Sequence, residues 1–178
     1  VSSTKTNNVT TENDAGGTGV PPVHSFQVTR RNLPHMQEPE RVYFITWRCR
    51  DGEILSPEER ALVLDSLSYW EGRKWSVLAA VIMPNHLHAL VRCLPHPDGG
   101  VFDLAEILHS VKSFTAHQIM KQRGTPGKLW QDERYDRIVR DEAEFLEKWH
   151  YIRNNPVRDG LAARPEDYNW LYEKGKNI

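Results

Sequence analysis

Trp75-Ser76-Val77-Leu78-Ala79-Ala80-Val81-Ile82-Met83-Pro84-Asn85-His86-Leu87-His88-Ala89-Leu90-Val91-Arg92-Cys93-Leu94 is the stretch that decides the fold class. Trp75 to Met83 is apolar on both faces, the pattern of a strand with a neighbour above and below. Pro84-Asn85 breaks it. His86 to Leu94 then reads as a second strand. Two strands in direct succession exclude a purely alternating βαβ chain, so the expected class is α+β with an antiparallel sheet. Upstream, Val42-Tyr43-Phe44-Ile45-Thr46-Trp47 is rich in β-branched and aromatic residues and reads as another strand. Ser56-Pro57-Glu58-Glu59 combines a capping side chain, a proline suited to the first helical position and a capping-box glutamate. Val63, Leu67 and Trp70 follow at helical spacing, which predicts a helix over residues 57–71 ended near Gly72.

Downstream of the strand pair, Pro95, Pro97 and Gly99-Gly100 mark a loop. A long helix is expected from Asp103 to Gln122, with Leu104, Ile107, Leu108, Val111, Phe114 and Ile119 as its apolar stripe. Gly124, Pro126 and Gly127 interrupt the chain, and residues 130–139 are expected to hold a loop and a short strand. Asp141 and Glu144 have the spacing of a helix start, and Phe145, Trp149 and Ile152 line one face of the helix that follows. Pro156 is expected to end it, because the residue before a proline is pushed out of the α region. Residues 1–25 are dominated by Ser, Thr, Asn and Gly and read as a disordered tail. Residues 26–178 read as one domain, in which Tyr168 and Trp170 belong to a C-terminal packing or docking segment.

The chain has 178 residues, 39% of them hydrophobic and 26% charged, which describes a soluble globular protein. No apolar run approaches the roughly 20 residues of a membrane helix. Cys49 and Cys93 are too few for a disulfide scaffold, so a reducing cytoplasm is the simplest location. Formal net charge is −1, but its distribution is uneven. Residues 27–50 carry five Arg against two Glu, and residues 109–140 carry seven Lys or Arg against three acids. Residues 51–71 carry six acids against one Arg. A phosphate-binding groove needs only local positive charge, although scattered solvated charge gives the same count.

His86-Leu87-His88 is the most informative triplet. On a strand the two imidazoles share a face, while Leu87, Ala89 and Val91 point to the other. Two imidazoles on one face suit a divalent ion; a hydrogen-bonded pair with no metal is the other reading of a bare His-x-His. Tyr151 and Asn155 lie four apart on the last helix, hence on one face and off the apolar stripe. That arrangement suits a pocket, and also a half-buried tyrosine that caps a neighbour.

Taken together, Met83-Pro84-Asn85-His86-Leu87-His88-Ala89-Leu90 resembles the MP[ND]HxH signature of the HUH single-tyrosine transposases of bacterial insertion sequences (the IS200-like group). Four further blocks are similar to the domesticated branch, the REP-associated tyrosine transposases. They are Leu33-Pro34-His35 with Val42 to Arg48; Trp130-Gln131 with Tyr135; Val139-Arg140-Asp141; and Tyr151-Ile152-Arg153-Asn154-Asn155-Pro156-Val157 with Gly160-Leu161. The resemblance spans residues 30 to about 170 in matching order. It implies an HUH endonuclease architecture: a ferredoxin-like central antiparallel sheet with helices on one face, the His pair on a middle strand and the tyrosine on a late helix. It further implies Tyr151 as nucleophile, His86, His88 and Asn155 as metal ligands, and Mg²⁺ or Mn²⁺ as cofactor. The implied partner is single-stranded hairpin DNA of the REP type, cut and rejoined beside the hairpin by a monomer or homodimer.

Elementary chemistry agrees with this. Attack of a tyrosine oxygen on a phosphodiester leaves a 5′-phosphotyrosine and a free 3′-OH. The phosphodiester energy is retained, so the step reverses and ends can be rejoined. A free phenol has a pKa near ~10, so a metal that offsets developing charge has a clear use. Mg²⁺ prefers carboxylates and Mn²⁺ tolerates imidazole better, so weak metal affinity is expected without DNA. Candidate DNA contacts are Arg48, Arg50 and Arg92 on or after strands, and Lys112, Lys121 and Arg123 on the long helix. Trp130, Gln131, Arg134 and Tyr135 are candidates to stack on or read unpaired bases, with core packing the competing role for Trp130. Arg140 is a further candidate, with a helix-start ion pair as its other reading. The principal alternative is a catalytically silent regulator that binds the same hairpin. A nucleotidyl hydrolase with alternating histidines would want a third His where Leu90 stands.

Overall fold

The computed structural model describes residues 27–30, 34–37 and 41–175. The expected disordered tail over residues 1–25 lies outside the described residues, as does Leu33. Strands β1 (Gln27–Arg30) and β2 (Pro34–Gln37) pair antiparallel as a small hairpin. The elements that follow are β3 (Val42–Cys49), α1 (Pro57–Ser68), β4 (Trp75–Ile82), β5 (His86–Cys93), α2 (Leu104–Arg123), β6 (Trp130–Ile138), α3 (Glu142–Arg158) and β7 (Leu171–Glu173). The main sheet has the order β6-β3-β5-β4-β7, and every pairing in it is antiparallel. The run β3-α1-β4-β5-α2-β6 in this order is the split βαβ arrangement of a ferredoxin-like fold, with β7 added at the β4 edge.

Local chemistry accounts for the elements. Ser56 and Glu59 exchange the reciprocal side-chain to backbone bonds of a capping box at the start of α1. Asp103 accepts from the backbone of Ala105 and Glu106 at the start of α2. Gly124, at φ 66°, closes α2 in the left-handed conformation that glycine adopts without strain. Register then sorts the side chains. Tyr43, Ile45 and Trp47 of β3 stand opposite Val91, Ala89 and Leu87 of β5. With Ala80 and Ile82 they form a buried layer against Leu55, Val63 and Leu67 on the α1 side and Leu104, Ile107, Val111 and Ile119 of α2. The other face carries Phe44, Val81, Met83 and Leu90, packed with Ile152 of α3 and Tyr168.

Three expectations need correction. Helices on one face describes α1 and α2 only; α3 lies on the other face. Its stripe of Phe145, Trp149 and Ile152 needs an apolar surface of its own, and the second sheet face supplies one. Residues 130–138 form one nine-residue strand rather than a loop and a short strand. β6 is an edge strand whose middle is mostly half-buried or exposed, so its order comes from the ladder with β3 and not from an apolar run. Pro156 does not end α3, which continues to Arg158. The backbone N–H of Asp159 bonds to Asn155 O at 3.1 Å and that of Leu161 to Pro156 O at 2.8 Å, so the last turn closes around the proline. Both Asn155 and Pro156 are buried, which favours the helical backbone over the local preference.

The chain end returns to the sheet. Tyr168 donates its hydroxyl to Ile82 O at 2.8 Å. Arg60 of α1 donates to the same hydroxyl at 3.0 Å and stacks its guanidinium 3.7 Å from the Trp170 ring. Among the described residues no helix is long and apolar enough to cross a membrane. Ile152 is fully buried beneath the exposed face of α3. Ile152→Ala should therefore lower the unfolding free energy by about 2–5 kcal/mol, read from urea denaturation at unchanged m-value.

Candidate active site

The two imidazoles come from one strand. β5 is a middle strand, so His86 and His88 share a face and have paired strands on both sides. Their ring centroids lie 4.9 Å apart. His88 is 5% exposed, and its ring stacks on Phe44 with centroids 5.6 Å apart and planes 13° from parallel. Phe44 and Thr46 occupy the same face of β3, and Thr46 stands directly opposite His88. Thr46 Oγ1 meets His88 Nδ1 at 2.6 Å. Asn85 Oδ1 meets His86 Nδ1 at 2.7 Å. The amide oxygen can only accept, so His86 carries its proton on Nδ1 and keeps a lone pair on Nε2. In the same tautomer His88 donates to Thr46 and presents its own Nε2 outward.

α3 delivers the phenol. Tyr151 Oη lies 3.4 Å from His88 Nε2, with ring centroids 5.0 Å apart. Tyr151 also meets Phe44 edge-on at 6.1 Å. It is 37% exposed, so the oxygen is open to a large substrate while the imidazoles stay sheltered. Asn155 is one turn further along α3 and buried, its Oδ1 accepting from Arg158 Nη2 at 3.3 Å while Nδ2 has no partner. The Arg158 guanidinium carbon is 5.1 Å from the Tyr151 ring centroid. Arg158 thus joins the carboxamide to the phenol.

The electrostatics keep both rings neutral. Burial pushes His88 down to about 3, with smaller contributions from His86, Arg48 and Arg158. Burial also lowers His86, and Arg48 and Arg158 act in the same direction against the opposing charge of Asp159. Neutral imidazoles with an unprotonated Nε2 are the form that binds a divalent ion. Among the described residues no group of three or more His, Cys, Asp or Glu could hold a metal, so a third ligand beside the His pair would be a hydroxyl, phenol or amide oxygen. Asn155, buried one turn beyond Tyr151 on α3, offers such an oxygen, which accepts from Arg158 in the metal-free protein. The donor set is neutral and nitrogen-rich, which suits Mn²⁺ better than Mg²⁺.

The remaining candidates divide by sheet face. Arg48 stands opposite His86 in register, on the face of the imidazoles. Tyr135 of β6 stands opposite Thr46 on that face and is exposed. Thr46, Arg48, Gln131 and Tyr135 line a cleft of about 480 Å³ along the β3–β6 side of the cluster. Arg50 is exposed just past the end of β3. Arg92 shares the face of His88 but lies four residues along β5, about 14 Å away. Lys112, Lys121 and Arg123 belong to α2, which packs on the opposite face. Lys112 Nζ donates to Gln131 O at 2.7 Å.

Four candidates have structural partners that account for them. Arg123 clamps Glu59 at 2.6 Å, Glu53 and Ile54 O, tying the end of α2 to the start of α1. Trp130 is a core residue: it packs edge-on against Trp47 at 6.1 Å and donates Nε1 to Thr115 Oγ1 at 3.0 Å. The Arg134 side chain is 7% exposed and faces Asp136 at 3.7 Å, so it is not a surface base reader. Arg140 pairs with Glu144 at 3.0 Å as a helix-start ion pair. Sequence reasoning missed Thr46, Asn85, Phe44 and Arg158. Thr46 and Phe44 needed the β3–β5 register. Arg158 was within reach, since positions 151, 155 and 158 share one helical face once the helix is carried past Pro156.

Comparison with known proteins bears on the fold. No established family profile matches the chain. An uncharacterised protein of Haemophilus influenzae is 25% identical over 146 residues, covering 66% of this chain and 81% of the relative. A solved structure provisionally assigned as a transposase, from Deinococcus radiodurans, is 18% identical over 71% of this chain and 95% of its own, with a TM-score of 0.43. A REP-associated tyrosine transposase, solved bound to a REP hairpin, is 18% identical and covers 75% of this chain and 76% of its own, with a TM-score of 0.59. The chain therefore has the α+β fold of a REP-associated tyrosine transposase, the architecture its motifs led us to expect.

Proposed function

We propose that the protein is a metal-dependent single-stranded DNA transposase that cuts and rejoins DNA beside REP-like hairpins. The observation that carries this reading is the 3.4 Å approach of Tyr151 Oη to His88 Nε2, across 63 residues of chain. In this reading Tyr151 Oη forms a bond to the scissile phosphorus as the bond from phosphorus to the 3′ oxygen breaks. The phenol proton leaves through solvent, and the released oxygen ends as a 3′-OH. His86, His88 and Asn155 would hold Mg²⁺ or Mn²⁺. The chemistry that ion supplies when bound is polarisation of the phosphodiester and assistance to the departing oxygen. Asn85 keeps His86 in the required tautomer, and the Thr46 hydroxyl accommodates the same tautomer of His88. Arg48 supplies positive charge beside the site, and Tyr135 offers an exposed ring for an unpaired base. In this reading the tyrosine acts in cis, which the meeting of Tyr151 and His88 within one chain supports.

Three outcomes test this. Incubation of labelled single-stranded hairpin DNA with Mn²⁺ should yield an SDS-stable protein–DNA adduct, which Tyr151→Phe abolishes while hairpin affinity stays close to wild type. Cutting by the Tyr151→Phe variant rejects Tyr151 as nucleophile, and tight hairpin binding with no adduct in the wild type favours the silent regulator. His88→Ala should remove metal-dependent cutting; unchanged metal dependence rejects the His pair as ligands. The third outcome concerns protonation of the metal-free protein. The folded His88 is held at about 3, below the ordinary histidine value, so the unfolded chain binds the extra proton first as pH falls. Stability from this residue is therefore present above pH ~6.5 and is lost progressively as pH falls from there toward 3. NMR of the His88 ring should show no titration between pH 5 and 8, and a midpoint inside that window rules out the sheltered neutral ring.

A further inference from the structure

Arg158 stands in the last turn of α3 and has no role in the chemistry derived so far. Its Nη2 donates to Asn155 Oδ1 at 3.3 Å, its Nε to Asp159 Oδ1 at 3.2 Å, and its guanidinium lies over the Tyr151 ring. The side chain is 54% exposed, so its stem is free to swing while its head touches a buried amide. Lys148, another cation of α3 near this cluster, pairs with Glu147 and lies over Phe44. Arg158 is thus the cation in contact with the Tyr151–Asn155 face of α3.

We infer that Arg158 is a resident cation of this site, which holds Asn155 Oδ1 in the absence of a divalent ion and transfers to the substrate phosphate when the ion binds. The inference rests on the proposed function, and in particular on Asn155 as a metal ligand. A guanidinium and a divalent ion crowded onto one amide oxygen repel each other at short range, even though that oxygen has two lone pairs. Entry of the ion therefore favours departure of Arg158. A planar guanidinium displaced beside a tyrosine nucleophile finds its best partner in a phosphate, which it grips through two parallel hydrogen bonds. Arg158 is on this account a positioning residue for Asn155 in the free protein and for the phosphate in the complex. The exchange makes ion binding tighter with DNA present, since the phosphate offers Arg158 a second position beside its existing contact with Asp159.

The two roles pull one substitution in opposite directions. In the full-length protein without DNA, Arg158→Gln removes a unit charge from beside the ion and should tighten Mn²⁺ binding by about three- to tenfold, read from the EPR signal of free Mn²⁺. At saturating Mn²⁺ the same variant should cut hairpin DNA about tenfold more slowly or worse, because a charged contact to phosphate is lost. Arg158→Lys keeps the charge without the planar fork, so its Mn²⁺ affinity should stay close to wild type. A merely structural role would weaken Mn²⁺ binding and cutting together, so Mn²⁺ affinity unchanged or weakened in Arg158→Gln overturns the inference. His88→Ala, measured alongside, separates the two levels. Loss of Mn²⁺ in His88→Ala with no gain in Arg158→Gln overturns the exchange alone, and Mn²⁺ binding indifferent to both overturns the ion site beneath it.

Discussion

The site depends on the hydrogen-bonded register between β3 and β5. That ladder sets Thr46 against His88 and Arg48 against His86, and it brings Phe44 under the His88 ring. A slip of one residue would turn every side chain of β5 to the other face, burying both imidazoles against α1 and α2 and exposing Leu87 and Ala89. Such a slip is strongly opposed, because Leu87, Ala89 and Val91 belong to the larger buried layer. The apolar residues between and after the histidines therefore lock the imidazole-bearing face by anchoring the opposite one.

Placing the two apolar layers on opposite faces of one sheet has a chemical consequence. The α1 and α2 side is a closed core that carries much of the stability. The α3 side is smaller, and at the ends of β3 and β5 it gives way to polar residues: Thr46, Arg48, His86 and His88. α3 closes over Phe44, Val81 and Leu90 with Ile152 and presents Tyr151 at the margin of that patch. The phenol is thus held by a buried neighbour on its own helix yet remains open to solvent. The same margin keeps the imidazoles out of water, and burial is the largest cause of their lowered proton affinity.

The distribution of positive charge is less uniform than its count along the chain suggests. The basic excess of residues 109–140 divides between the two faces. Arg123 and Arg134 have acidic partners, and Lys112 reaches a backbone carbonyl. Arg48 and Arg158, by contrast, stand at the imidazoles and shift their protonation directly. Two arginines distant in sequence and brought to the imidazoles by the fold thus act on the site more directly than the longer basic stretch.

Much of this was legible in the sequence because it is local. The capping box at Ser56 follows from side-chain chemistry, and the helix that starts near Asp103, the paired faces of His86 and His88 and the i, i+4 relation of Tyr151 and Asn155 follow from helix and strand periods. What the sequence could not decide was non-local. β6 carries no apolar run of its own and becomes a strand only because β3 offers it a ladder. Pro156 opposes a helix locally and is overruled by the burial of Asn155 and itself. The Thr46 partner of His88, the core role of Trp130 and the position of Arg158 depend on residues distant in sequence or on a helix continued against local preference. A side chain's face is dictated by its own backbone period, whereas its partner is set by which elements pack together, and only the tertiary structure decides that.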